Sequence, residues 1–201
     1  NGFQSLSTLI TNPNRVEVYP KIKEGWCKDV LKSIEVKPCE SPSNPETTMQ
    51  SFLLKDYPKM FISNGNFDGK IVVGSNCPAS DTIGQSLLLT DLQGYVSNPI
   101  PSSAAAVDNE IGGLDNSENY ILLNTGNCNS ITEGPQLSQN TAEISLASLS
   151  DGNLILFISG NSPVDTRNAV EAIVSGKLSN INKPYAEVKS PSQMVGSYTI
   201  G

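Results

Sequence analysis

The chain has 201 residues, 13 basic and 20 acidic side chains, a formal net charge of -7 and no histidine. This length predicts one main domain with an additional segment, and about 70% of the unfolded surface can be buried on folding. Without histidine, Ser-His-Asp and Cys-His nucleophilic sites, His-ligated zinc and the usual proton carrier at neutral pH are excluded. An acidic chain also lacks the basic surface that nucleic acid requires. We therefore expect neither enzymatic activity nor a nucleic acid partner.

The composition predicts a location outside the cell. The chain contains 20 Asn, 26 Ser and 11 Thr residues, whereas only 16% of its residues are charged. It starts at Asn1 rather than at a methionine, which we interpret as the removal of a signal peptide. No apolar run reaches the roughly 18 residues of a membrane span. The protein is expected to be secreted or displayed at the cell surface.

The chain divides at about residue 55. We expect residues 1–55 to form an irregular, β-rich arm, because residues 3–10 and 16–19 have strand-like patterns and residues 26–34 have helical spacing. Residues 56–201 have a different pattern, which predicts an α/β domain.

Charge follows the same division. Residues 1–70 have a net charge of +1, whereas residues 71–201 have one of -8. No basic side chain occurs between Lys70 and Arg167, although ten carboxylates lie there. This distribution is typical of a well-solvated surface, and it leaves attraction of a divalent cation such as calcium or of a basic partner open. No other cofactor is expected.

The predicted α/β domain alternates short apolar strands with amphipathic helices. Ser162, Pro163 and Asp165 have the spacing of a helix start, and Gly176 that of a helix stop. Continuous apolar strands of this kind predict a parallel, Rossmann-like sheet with helices on both faces. The predicted strands are residues 70–73, 120–123, 154–158 and 185–188, the predicted helices begin near residues 81 and 163, and residues 97–119 are expected to be mostly a surface loop.

Small and amide-bearing residues follow the predicted strands. Because ligands of open α/β sheets bind beyond the carboxyl ends of the strands, these residues form a candidate ligand rim. Asp81 and Asp165 both lie in the first turn of a predicted helix, where a carboxylate accepts backbone N–H bonds, and we assign them a structural role. The rim residues are Ser75, Asn76, Asn124, Asn127 and Asn161, together with the glycines and Ser159 beside them.

The four cysteines allow three disulfide pairings. We favour Cys27–Cys39 within the arm and Cys77–Cys128 within the α/β domain, because the first two lie close together in a segment of their own. No His or CxxC motif activates any of them, so a structural role is favoured over redox chemistry. A Cys77–Cys128 bridge would cross the candidate rim and staple it.

Three segments resemble archaeal surface-layer (S-layer) proteins. They are DYPKMFISNGNFDG running into KIVVGSNCPASDTIG, then ENYILLNTGNCNSIT, and then LILFISGNSPVDTRNAVEAIV. The first is similar to that family's block YP-x-PF…G-x-F-x-G…VVG-x-x-AP-x-SD-x-IG, and the third to its G-x-S-x-x-DTR-x-A helix start. The resemblance covers residues 56–175 and implies a Rossmann-like module in a protein that coats the archaeal cell, with a structural role.

Two functions follow as expectations. The first is a non-enzymatic protein that assembles with itself, and with envelope components, into an S-layer, sheath or extracellular filament. Residues 1–18 and 195–200 would be loose in a monomer, and a terminal strand donated to a neighbour would order them. The alternative is a secreted module that binds an envelope glycan or a divalent metal at the rim.

Overall fold

The computed structural model describes residues 52–201 of the chain. The strands of this part are β1 (Ile62–Ser63), β2 (Asn66–Phe67), β3 (Lys70–Val73), β4 (Ala105–Val107), β5 (Tyr120–Thr125), β6 (Thr141–Ser148), β7 (Leu154–Gly160), β8 (Tyr185–Lys189) and β9 (Thr199–Ile200). The helices are α1 (Ala79–Gln93), α2 (Asp108–Ile111) and α3 (Pro163–Val174). Everything predicted for residues 1–51, including the β-rich arm and the Cys27–Cys39 bridge, lies outside the described residues.

Seven of the strands form one mixed sheet in the order β4-β3-β5-β7-β6-β8-β9. The first four run parallel, whereas β6 is antiparallel to both β7 and β8, and β9 is antiparallel to β8. The expectation of an α/β fold is confirmed, but the expectation of a wholly parallel sheet is wrong. The strand β6, and not a crossover helix, follows β5 in the sequence. Because β6 runs opposite to β7 and β8, this half of the sheet is antiparallel.

Both long helices lie on the same face of the sheet and pack against each other. Alternate side chains of β3 show this arrangement, because Ile71 and Val73 join the core beneath α1 and α3, whereas Val72 belongs to a smaller core on the opposite face. That opposite face is covered by the one-turn helix α2 and by loops, including Ile111 and Ile131. The two predicted long helices therefore share one face, which corrects the prediction that they cover both.

A glycine permits the close approach of the two helices to the sheet. A Cβ atom on Gly84 of α1 would lie 2.9 Å from Leu123 Cδ2 and 3.2 Å from Val170 Cγ2. Leu123 belongs to β5 and Val170 to α3, so Gly84 lies where a helix, a strand and a second helix meet.

The predicted strands and helix ends agree with the structure at most positions. Ser162 caps α3 by accepting the Asp165 N–H, Pro163 is the first helical residue, and Gly176 lies just beyond the helix in the left-handed region with a φ of 70°. α1 ends at Gln93, with Gly94 as its C-cap, and has no side-chain cap at its start. In the main sheet, β4, within the predicted surface loop, and β6 were missed, and so were the two-residue strands β1 and β2.

The C-terminal residues pair within their own chain. Val188 and Lys189 of β8 pair with Ile200 and Thr199 of β9. Thr199 and Ile200 are therefore ordered by their own chain, and their order does not require a strand donated to a neighbour.

Candidate functional site

The turns that follow β3 and β5 are joined by a disulfide between Cys77 and Cys128, with a Cα–Cα distance of 4.9 Å. This bridge was predicted and is confirmed. The chain passes from β3 to β4 on one side and then returns to β5 on the other, so the bridge stands where the strand order reverses. Ligands of open α/β sheets bind at such a switch point, and here a covalent link closes it.

A pocket of about 220 Å³ lies beside the bridge, at the ends of β5 and β7. Three predicted rim residues, Asn124, Asn127 and Asn161, line it, and so does Ser159. The remaining walls come from residues 135–137, of which Gln136 adds another carboxamide. Sequence reasoning missed this last segment, because residues 131–140 carry no periodic pattern that would place them over the sheet.

The three rim asparagines hold that segment in place. Asn124 Nδ2 donates to the Thr132 carbonyl at 3.4 Å, and Asn161 Nδ2 donates to the Leu137 carbonyl at 3.1 Å. Asn127 Oδ1 accepts the Gly134 N–H at 2.9 Å. The asparagines therefore build the wall of the pocket, and only part of each carboxamide remains for a ligand.

Ser159 is the side chain of the pocket whose hydrogen bonding is incomplete. It is 3% exposed, and its Oγ has no hydrogen-bond partner among the described residues. A Cβ on Gly134 would lie 3.3 Å from this Oγ and 2.7 Å from Asn127 Oδ1, so the absence of a side chain at residue 134 leaves these polar atoms uncrowded. A buried, unpaired hydroxyl costs about 1–3 kcal/mol, which a ligand hydroxyl can recover by pairing with it.

Ser75 and Asn76, the other predicted rim residues, do not line this pocket. The Ser75 N–H donates to Asp108 Oδ1 at 2.8 Å, and Asn76 is exposed. Asp108 Oδ2 also accepts from the Ser130 N–H at 2.8 Å and from its hydroxyl at 2.7 Å. Burial by itself would raise the pKa of Asp108, but the hydrogen bonds from Ser130 and Ser75 together outweigh it and hold that pKa well below its usual value.

The two helix carboxylates differ in their partners. Asp165 accepts from the Ser162 N–H at 3.0 Å and from its hydroxyl at 2.6 Å, as expected of a residue in the first turn. Asp81 instead accepts from Thr125 of β5, through Oγ1 at 2.7 Å and through the backbone N–H at 3.2 Å. Asp81 therefore ties α1 to the sheet.

Burial raises the pKa of Asp81, and the hydrogen bonds from Thr125 and Ser80 offset part of that rise. Asp81 Oδ2 also lies 3.8 Å from Cys128 Sγ.

The described residues offer little for a metal ion. One group of three potential ligands, Cys77, Asp81 and Cys128, lies close together within residues 52–201. Both sulfurs of this group are in the disulfide and so are not thiolates, the form that binds metal. The pocket has no carboxylate in its lining, whereas calcium sites use carboxylate and carbonyl oxygens.

Comparison of the chain with known protein families gives no matching family, and comparison with curated proteins gives no significant match. Within residues 52–201, no helix combines the length and the apolar character needed to cross a membrane.

Proposed function

We propose that this chain is a non-enzymatic protein of the cell surface, and that its α/β domain binds a small, uncharged, hydroxyl-bearing ligand such as a sugar unit of an envelope glycan. The observation that carries the proposal is the buried, unpaired Ser159 hydroxyl in a pocket whose other polar side chains are carboxamides. The pocket volume, about 220 Å³, is below the roughly 300–1,000 Å³ of drug-sized ligand sites and suits one sugar residue.

The chemistry of the lining favours a neutral ligand. No charged side chain lines the pocket, and the ten carboxylates between Lys70 and Arg167 disfavour an anion. Carboxamides and hydroxyls both donate and accept hydrogen bonds, as sugar hydroxyls do. A polyol can therefore satisfy Ser159 and the unused parts of Asn127 and Asn161 together.

The same lining supports binding without catalysis. General acid–base catalysis needs a titratable group within hydrogen-bond reach of the reacting atoms, and no Asp, Glu, Lys, Tyr or Cys lines the pocket. The Cys77–Cys128 bridge is typical of oxidising, extracytoplasmic compartments. The bridge, the low charge content of the chain and the resemblance to S-layer proteins together support a position at the archaeal cell surface.

Titration of the protein with envelope polysaccharides and simple sugars, followed by thermal shift and calorimetry, tests the proposal. Asn127→Asp keeps the Oδ1 that accepts the Gly134 N–H but removes the amide donor, so binding should weaken about tenfold or more. Asn76→Asp adds the same charge outside the pocket and should leave binding unchanged. Equal effects of the two substitutions, or no saturable binding of any glycan, would contradict the proposal.

Self-assembly is the second candidate, and an apolar groove favours it. The groove has a volume of about 280 Å³ and lies between the starts of α1 and α3, with Ile83, Val164 and Val195 in its walls. Ile83 and Val195 are 55% and 53% exposed. Arg167 also lines the groove.

Sedimentation at increasing protein concentration tests this second candidate. If a second copy binds the groove, Ile83→Asn should shift large species toward monomers, because it places a polar amide in the apolar contact. Tyr185→Ser is the matched control, because Tyr185 is 54% exposed and does not line the groove. A wild-type protein that stays monomeric at high concentration would exclude assembly through this surface.

A further inference from the structure

A buried carboxylate faces the disulfide beyond the carboxyl ends of β3 and β5. Asp81 is 1% exposed, and its Oδ2 lies 3.8 Å from Cys128 Sγ. While the bridge is closed, that sulfur has no hydrogen and cannot donate to the carboxylate. After reduction the Cys128 thiol can donate to Asp81, so the fold already contains a partner for the reduced state.

We propose that Cys77–Cys128 is a reversible thiol–disulfide exchange site, open to small thiols and to dithiols of other proteins, in which Asp81 carries the proton of Cys128. Both cysteines are partly exposed, which gives an incoming thiol access to the bridge.

The two sulfurs have different surroundings. Cys77 immediately precedes Pro78 and the start of the 15-residue helix α1, and the positive end of a helix dipole favours a thiolate. Cys128 is the sulfur within hydrogen-bond distance of Asp81, and a neighbouring carboxylate disfavours a thiolate. Cys77 is therefore the sulfur that exchanges with an outside thiol, and Cys128 is the one that takes up and releases a proton.

The exchange balances with two molecules of a thiol, RSH. A thiolate RS⁻ attacks Cys77 Sγ, the Cys77–Cys128 bond breaks, and the departing Cys128 sulfur takes the proton of the Asp81 carboxyl group. A second RS⁻ attacks the mixed disulfide, which releases RSSR and the Cys77 thiolate. The two protons that the RSH molecules lost on ionisation return from solvent to Asp81 and to Cys77. The protein disulfide gains two electrons, and two thiols are oxidised to one disulfide.

The position of Asp81 suits this proton transfer. Within the described residues, the two cysteines are the titratable groups that lie against it, and hydroxyls of Thr125 and Ser80 complete its surroundings. Burial raises the pKa of Asp81, so it retains a proton at a higher pH than an exposed aspartate does.

The rate of reduction of the full chain by dithiothreitol, followed by mass spectrometry after alkylation, tests the proposal. We expect the Cys77–Cys128 bridge to be reduced without loss of the far-ultraviolet circular dichroism of the fold. Asp81→Asn should slow that reduction about tenfold, because it removes the proton donor. Asp165→Asn, at the corresponding position of α3, should leave the rate unchanged.

The opposite result separates this role from a purely electrostatic or structural one. If the Asp81 charge only repelled the attacking thiolate, Asp81→Asn would speed reduction instead of slowing it. A wild-type bridge that is reduced only when the protein unfolds would also overturn the proposal.

A second measurement on the wild-type protein does not depend on the variant folding. In the reduced protein, the alkylation rate of Cys77 should rise with pH at a lower pH than that of Cys128. Coincident pH profiles for the two cysteines would overturn the proposal.

Discussion

At the scale of single residues, Ser159 and Ser190 are both buried but differ in their hydrogen-bond partners. Ser159 has no partner for its hydroxyl, whereas the Ser190 hydroxyl, which is 0% exposed, accepts from Asn168 Nδ2 at 2.9 Å. Ser159→Ala should therefore leave the free energy of unfolding unchanged or raise it by about 1 kcal/mol. Ser190→Ala should lower it by about 1–2 kcal/mol, because an Asn168 amide hydrogen loses its acceptor. Urea denaturation measures both, and an equal loss in the two variants would mean that Ser159 is paired after all.

Asp108 makes stability depend on pH in a predictable direction. The hydrogen bonds that hold its pKa below the ordinary value of 3.8 exist only in the folded state. The contribution of these hydrogen bonds to the free energy of unfolding is therefore complete above about pH 5 and is lost as the pH falls through and below 4. Asp108→Asn should cost about 2 kcal/mol at pH 7, and the difference from the wild-type protein should shrink in urea denaturation at pH 3. A difference that stays constant with pH would contradict the assigned hydrogen bonds.

At the scale of elements, α3 owes its start to its cap. Ser162 accepts the Asp165 N–H, and Asp165 accepts the Ser162 N–H in return. Ser162→Ala should lower the free energy of unfolding by about 1 kcal/mol. Ser86→Ala, on the exposed side of α1, removes only a bond to the Thr82 carbonyl and should change stability by less than about 0.5 kcal/mol. Chemical denaturation compares the two, and an equally small change in both would show that the cap contributes little.

The contact between α1 and the rest of the core depends on the lack of a side chain at Gly84. Gly84→Val should lower the free energy of unfolding by about 1–3 kcal/mol, because its methyl groups would overlap Leu123 and Val170. The substitution should also broaden the amide resonances of Leu123 and Val170 in a nuclear magnetic resonance spectrum. Retention of full stability would mean that the helices can move apart freely.

At the scale of the whole molecule, residues 52–201 contain a continuous hydrophobic core. It extends from Leu54 and Phe61 through the sheet to Val188, all buried. A fragment of residues 52–201 should therefore fold by itself, with one cooperative transition in urea detected identically by circular dichroism and fluorescence. Two non-coincident transitions, or the absence of any, would show that the domain requires the preceding residues.

The sequence predicted most of the α/β domain but not all of its sheet. Residues 70–73, 120–123 and 154–158 were recognised because each is a short, mostly apolar run bounded by turn residues, and residues 185–188 were predicted as a fourth strand. β4 was missed because Ala105 and Ala106 are weak strand formers within a Pro- and Ser-rich segment. β6 alternates Ala142, Ile144 and Leu146 with polar residues, a strand signal that the longer apolar runs obscured.

The candidate site was predicted in part. Asn124, Asn127 and Asn161 were selected because they follow strands, and they do line one pocket, whereas Ser75 and Asn76 do not line it. The sequence could not show that these three asparagines form hydrogen bonds to the segment from residue 132 to residue 137. That depends on where an irregular loop lies, which no local pattern encodes.

By itself, the sequence determined the features that depend on near neighbours: the apolar strands, the cap of α3, the glycine stop after it, and the excess of carboxylates after Lys70. These follow from backbone propensity, periodicity and composition, which act over a few residues. The tertiary structure alone decided the direction of β6, the shared face of α1 and α3, and the approach of Asp81 to Cys128. Residues 81 and 128 are far apart in the chain, and only the packing of a helix against its sheet brings a carboxylate to a disulfide.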